Sequence, residues 1–281
     1  MQVTVFGSVA LDTTRTPFRT EEDILGGAAT YAALSSGMFV QTELLGVVGA
    51  DFPEKYLSIL RSRVGTSGLA IRSGTKTFRY DSSFNYDLSH RTSNKTELNV
   101  IAEYEPTVPK QLKGSVFVYL ANNDPVQNIK ILDQFSKPEL VVCDTIEFWI
   151  ESKRDKVVEM FGMAHGVVIN DQEARMLCGM SNILRCAREI LSWGPEFVIV
   201  KKGEHGSILV QGDVIFVAPA YPLEDIVDPT GAGDSFAGGF MGYLASQGSF
   251  DITAFKAAVV YGNGMGSFAV EDFGLSGLLR I

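Results

Sequence analysis

The chain has 281 residues, 46% of them hydrophobic and 20% charged, an ordinary globular composition with length enough for one large core. Its net charge of −9 leaves no basic stripe to neutralise phosphates, so a nucleic-acid partner is not expected. No run of about 18 apolar residues is present to cross a membrane. The three cysteines, Cys143, Cys178 and Cys186, follow no metal-ligand spacing, so a reduced, cytoplasmic setting is expected.

The opening MQVTVFGSVALD lacks the basic segment and cleavage site of a signal peptide. Its VTVF run, closed by Gly7, predicts a first strand. Apolar runs at 43–49, 116–121, 140–145, 166–171 and 197–203 predict further strands. They are continuous rather than alternating, as strands buried on both faces of a parallel sheet are. Segments 53–64, 126–135 and 154–163 have helical spacing, and two long helices are predicted at about 233–247 and 252–268. This alternation predicts one α/β domain over residues 1–281, a mostly parallel sheet with helices on both sides.

Two stretches break the pattern. Residues 12–25 and about 67–105 alternate β-formers with polar turns, without an intervening helix. Together they predict a small antiparallel sheet beside the main domain, a natural lid. An extension used only for packing, or for a homodimer contact through the lid, is the other reading.

The segment that carries chemistry is Asp228-Pro229-Thr230-Gly231-Ala232-Gly233-Asp234-Ser235-Phe236, leading into AGGFMGYLAS. Gly231-Ala232-Gly233 at a helix start leaves backbone N–H groups uncovered, and with the helix dipole these form an anion site. Asp234 then stands in the first turn, where a carboxylate can take a proton from an attacking hydroxyl while the amides of Gly231 to Asp234 stabilise a transferring phosphoryl group. A P-loop would need Gly-Lys-Ser/Thr, and the dinucleotide fingerprint fails at Phe236.

The string DPTGAGDSFAGGF resembles the C-terminal signature of the PfkB carbohydrate kinases, a ribokinase-like family, and ILGGAATYAALSSG (24–37) sits where that family has its first signature. The resemblance covers nearly the whole chain. It implies a ribokinase-like three-layer sandwich with a β-lid, a phosphotransferase acting on an alcohol group, and ATP with Mg²⁺ as cofactors.

It also implies roles for particular residues. Asp12 matches the aspartate that binds acceptor hydroxyls; a carboxylate accepts two hydrogen bonds from a vicinal diol. Gly26 and Gly27 match the Gly-Gly that lets backbone approach the substrate. The family often carries Asn four positions after the second glycine, where this chain has Tyr31. Asn123 follows a strand where relatives place a substrate contact, although Asn-Asn-Asp-Pro also reads as a turn. Asn170 and Glu173 resemble an Asn-x-x-Glu element linked to Mg²⁺ and phosphate, with Glu173 acting on the metal indirectly; the same spacing makes a helix capping box. Lys201, Gly203 and Gly206 resemble the nucleotide-side loop, and Asn263 sits where relatives line the adenine pocket. Asp228 and Thr230 match positions that hold a monovalent cation in some relatives, which makes K⁺ a candidate.

The lid region is rich in aromatics, Phe78, Tyr80, Phe84, Tyr86 and Tyr104. Phe78 and Tyr80 share a strand face. Aromatic faces stack on nucleobases. With Tyr31 added, the acceptor is expected to be a nucleoside of adenosine type rather than a bare sugar. The alternatives are a sugar acceptor, a vitamin or pyrimidine kinase of the superfamily, and a non-catalytic ligand sensor on the same fold.

Overall fold

The computed structural model describes all 281 residues. The chain begins with β1 (Val3–Phe6), then the antiparallel pair β2 (Ala10–Arg15) and β3 (Thr20–Gly26), and enters helix α1 (Ala28–Gly37). Next come β4 (Thr42–Gly49), α2 (Glu54–Arg63) and β5 (Gly65–Arg72), followed by a second antiparallel pair, β6 (Phe78–Phe84) and β7 (Arg91–Glu97). Strand and helix then alternate through β8 (Phe117–Leu120), α3 (Pro125–Leu132), β9 (Leu140–Cys143), α4 (Glu147–Met163) and β10 (Gly166–Asn170). Helices α5 (Asp171–Cys178) and α6 (Ile183–Ser192) lead to β11 (Phe197–Lys201), β12 (Ser207–Gln211) and β13 (Val214–Ala218). The chain closes with α7 (Ala232–Gln247), α8 (Ile252–Val270) and α9 (Ser276–Leu279).

Nine strands form one sheet in the order β13-β12-β11-β10-β9-β8-β1-β4-β5. All its pairs are parallel except those made by β12. Because β1 lies inside the sheet, the chain builds outward on one side through β4 and β5 and on the other through β8 to β11. The switch falls between β1 and β8, and α/β sheets bind ligands outside the carboxyl ends of strands at such a point.

Continuous apolar runs are explained by two cores. Phe117 and Tyr119 of β8 enter one, packed with α1, α7 and α8; Val118 and Leu120 enter the other, under α3, α4, α5 and α6. Period-2 alternation sends neighbouring side chains to opposite faces, and both faces are covered.

The remaining strands form a small sheet, β3-β2-β6-β7, which is mixed and not antiparallel throughout as expected, because its two hairpins meet through the parallel pair β2 and β6. The segment read from sequence as one insert at 67–105 divides: residues to Arg72 complete the edge strand β5 of the large sheet, and Asn99–Ile101 form a short 3-10 turn buried at Val100 and Ile101. Helix α4 starts at Glu147, earlier than the spacing at 154–163 predicted, with non-helical backbone at Lys153 inside it.

Candidate active site

Helix α7 enters through Gly231, whose φ of 77° is left-handed backbone that glycine adopts without strain. The N–H of Ala232 is taken by Pro229 O at 3.3 Å and that of Ser235 by Gly231 O at 2.8 Å. The N–H groups of Gly231, Gly233 and Asp234 have no backbone acceptor. Three donors of a 16-residue helix therefore remain free at its positive end.

Asp234 stands half-buried in this first turn. Desolvation, and then the nearby negative charge of Asp144, push its pKa up to about 7, against the pull of Lys201 and Arg91. A carboxylate poised near neutrality suits a general base.

Asp12 lies on β2 and is 6% exposed, with Oδ1 lacking any partner. Burial lifts it to about 7; the Gly27 backbone amide lowers it, Asp228 raises it, Arg91 lowers it and Asp234 raises it. Gly27 adopts φ 96°, and a side chain there would strike the backbone of Ser8 and Ala10. A side chain at Gly26 would run into the Asp12 carboxylate. The Gly-Gly pair therefore brings backbone against Asp12, and Ser8 Oγ receives the Ala28 N–H at 3.0 Å to start α1.

Asp144, Asn170 and Lys201 stand at the carboxyl ends of the neighbouring strands β9, β10 and β11. Lys201 lies opposite Asn170 in register, and its Nζ is 3.0 Å from Asp144 Oδ2. A Cβ on Gly233 would lie 2.7 Å from that Nζ, so the ammonium rests against the anion loop. Asn170 and Glu173 do form a capping box, with Glu173 N–H donating to Asn170 Oδ1 at 2.7 Å and Asn170 N–H to Glu173 Oε2 at 3.0 Å. Glu173 is buried and pushed up to about 8 by desolvation and by Asp144, with Lys201 opposing.

Several expected site residues are placed differently. Tyr31 is 1% exposed inside α1, its ring against Gly231, so it presents no open face for stacking. Its hydroxyl has no partner and is raised by burial and then by Asp228, Asp12 and Asp234. Phe78 and Tyr104 pack into the second core, and Tyr86 meets Phe18 edge-on at the outer end of the lid. Tyr80, opposite Asp12 in register, carries the Arg91 guanidinium 5.4 Å from its ring centre. Asn123 is tied to Gln127 at 3.0 Å, whereas its neighbour Asn122 holds a buried Oδ1 without a partner. Asn263 donates to Pro219 O at 3.0 Å and accepts from Ser207 at 3.1 Å, joining α8 to the β12–β13 edge; Gly203 and Gly206 bound the turn before β12.

Asp228 is fully buried, accepting the Thr230 N–H at 2.9 Å and the Gly274 N–H at 3.3 Å, while Thr230 Oγ1 has no partner. Only Thr230 Oγ1 is free there, since each Asp228 oxygen already accepts a backbone amide. No group of three His, Cys, Asp or Glu side chains is poised as a metal cage. The free amides with Lys201 fit a polyphosphate, and Glu173 offers the carboxylate that a hydrated Mg²⁺ would use.

Residues 3–280 match the family model of the pfkB family carbohydrate kinases. The chain belongs to that family. This pfkB kinase is 30% identical over 248 residues to the cytidine kinase of Thermococcus kodakarensis, covering 86% of this chain and 87% of that one. Its fold superposes on the nucleoside kinase of Methanocaldococcus jannaschii, an archaeal member of the ribokinase family, with a TM-score of 0.78 at 21% identity, covering 100% and 98% of the chains. An Escherichia coli structure named ribokinase II, in complex with ATP and Mg²⁺, superposes with a TM-score of 0.81 at 19% identity, over 99% and 97% of the chains. The fold is ribokinase-like, and the small sheet corresponds to the lid. No helix is long and apolar enough to cross a membrane.

Proposed function

We propose that this pfkB kinase transfers the γ-phosphoryl group of ATP to the hydroxymethyl group of a nucleoside, with Asp234 as general base. The observation that carries the reading is Asp234 itself: a carboxylate near neutral pKa in the first turn of a helix whose adjacent amides are free. MgATP, when bound, supplies the phosphoryl group and the metal charge that offsets it.

Asp12, with one oxygen unpartnered, accepts hydrogen bonds from acceptor hydroxyls. The Gly26-Gly27 backbone borders that position. Asp234 takes the proton from the attacking oxygen, and the N–H groups of Gly231, Gly233 and Asp234 with the Lys201 ammonium stabilise the charge on the transferring group. Glu173 would meet a hydrated Mg²⁺ through water, and Thr230 with Asp228 would be the place for a monovalent cation, whose charge would offset that of the phosphates. The lid brings Tyr80 and Arg91 over the cleft and excludes water on closing.

A nucleoside is favoured over a bare sugar by the likeness to the cytidine kinase and by Tyr80 on the same sheet face as Asp12. Phosphoryl transfer from MgATP to purine and pyrimidine nucleosides, ribose and fructose tests this. Turnover on nucleosides well above that on free sugars supports the reading; turnover on free sugars alone overturns the acceptor assignment.

A further inference from the structure

Asp144 belongs to no motif, yet it is among the most enclosed carboxylates of the molecule, 3% exposed just beyond β9. Both oxygens are engaged. Oδ1 accepts the Thr145 N–H at 2.6 Å; Oδ2 accepts the Tyr119 hydroxyl at 3.3 Å and pairs with Lys201 at 3.0 Å. Tyr119 is itself wholly buried in the first core. The carboxylate is thus fixed by the scaffold on one side and holds a single ammonium on the other.

That ammonium has other carboxylates to choose from. Glu173 and Asp234 both act on Lys201 through their charge, and both are acids that desolvation has pushed towards neutrality. A lysine is a compact, mobile point charge and would settle on either if released. Settled on Asp234, it would draw off the charge the base needs and leave the anion loop. Held by Asp144, it stays against Gly233, with two of its three N–H donors free to face a phosphate.

We propose that Asp144 is a positioning residue for phosphoryl transfer: it pins Lys201 against the anion loop and keeps it off Asp234 and Glu173. The inference rests on the role given above to Lys201, and the test separates the two. Asp234 is faced by Asp144, Lys201 and Arg91, and in turn acts on Asp12, Tyr31 and Tyr119. Removing the Asp144 charge therefore lets the Asp234 pKa fall.

The experiment compares wild type, Asp144→Asn, Lys201→Ala and the double variant, measuring kcat, both KM values and the pH dependence of kcat/KM. Asp144→Asn is expected to lower kcat about 100-fold with little change in acceptor KM. The acid limb should move below its wild-type position near pH 7, and the double variant should be no slower than Lys201→Ala alone. Asp144→Asn with wild-type kcat beside an impaired Lys201→Ala would overturn the inference alone. So would additive losses, or an unmoved acid limb in a protein that has only lost stability. A fully active Lys201→Ala would remove the role of Lys201 and the inference with it. Should Asp144→Asn fail to fold, Tyr119→Phe carries the test. It should lower kcat roughly 3- to 10-fold with Lys201 present and not at all in Lys201→Ala; equal loss in both backgrounds would overturn the proposal.

Discussion

The ring of Tyr31 fills the space into which any side chain at Gly231 would project. One residue is on the helix after the Gly-Gly pair and the other at the mouth of α7, so this contact joins the two signature segments of the chain. It also sets the floor of the anion loop.

Replacing Gly231 by Ala should therefore be costly twice over. The methyl group meets the Tyr31 ring, and the left-handed backbone at φ 77° is disfavoured by roughly 1–2 kcal/mol for a residue with a Cβ. We expect a lowered Tm in thermal unfolding and a lower kcat, with a smaller change in acceptor KM. Tyr31→Phe keeps the ring and removes a hydroxyl that has no partner. Its stability should be equal or higher, read from the same melting curves.

Asp12 and Asp234 both stand at about 7 instead of the ordinary 3.8. The base must be ionised to act, so kcat/KM should fall as pH drops below about 7. A pH profile between 5 and 9, flanking that value, reads this directly. An acid limb near 4 would mean that the carboxylates are not desolvated as described.

The same shift bears on stability. A carboxyl raised in the folded state favours folding fully below its unfolded pKa, and that advantage is lost as pH rises through about 7. Asp234→Asn removes the buried charge and should raise stability at pH 8, by an upper bound of about 4 kcal/mol. At pH 5, between the unfolded and folded pKa values, the gain should shrink to at most about 1.6 kcal/mol. Denaturant unfolding at the two pH values checks it.

Arg91 extends from the exposed lid strand, and its charge lowers the pKa of Asp12, Glu173, Asp228 and Asp234. Arg91→Gln should move the acid limb of kcat/KM upward, opposite to Asp144→Asn, and leave Tm nearly unchanged. A limb that stays in place would mean that the lid does not bring Arg91 to the site.

Much of this architecture is legible in the sequence because it follows local rules. Continuous β-runs identify strands covered on both faces, and Gly231-Ala232-Gly233-Asp234 reads as an anion-binding helix entry from backbone chemistry alone. The Asn170–Glu173 box is equally local. How Asp144 and Lys201 pair is not readable this way. They are 57 residues apart, lie at the ends of β9 and β11 with β10 between them, and meet only once the strand order is known. Tyr31 misleads for a related reason. An aromatic next to a substrate loop reads as a stacking face, but every residue of α1 from Ala28 to Ser36 is buried, so its ring packs inward. Arg91 lies in a strand of polar residues whose sequence does not reveal which side faces the cleft.

The most direct test of the account is phosphoryl transfer from MgATP to a nucleoside by wild type and by Asp234→Asn, with folding and ligand binding measured on both. The account predicts turnover by the wild type, and a loss of about 10²- to 10⁴-fold in a variant that still folds and binds both ligands. Near-normal turnover by folded Asp234→Asn would contradict it.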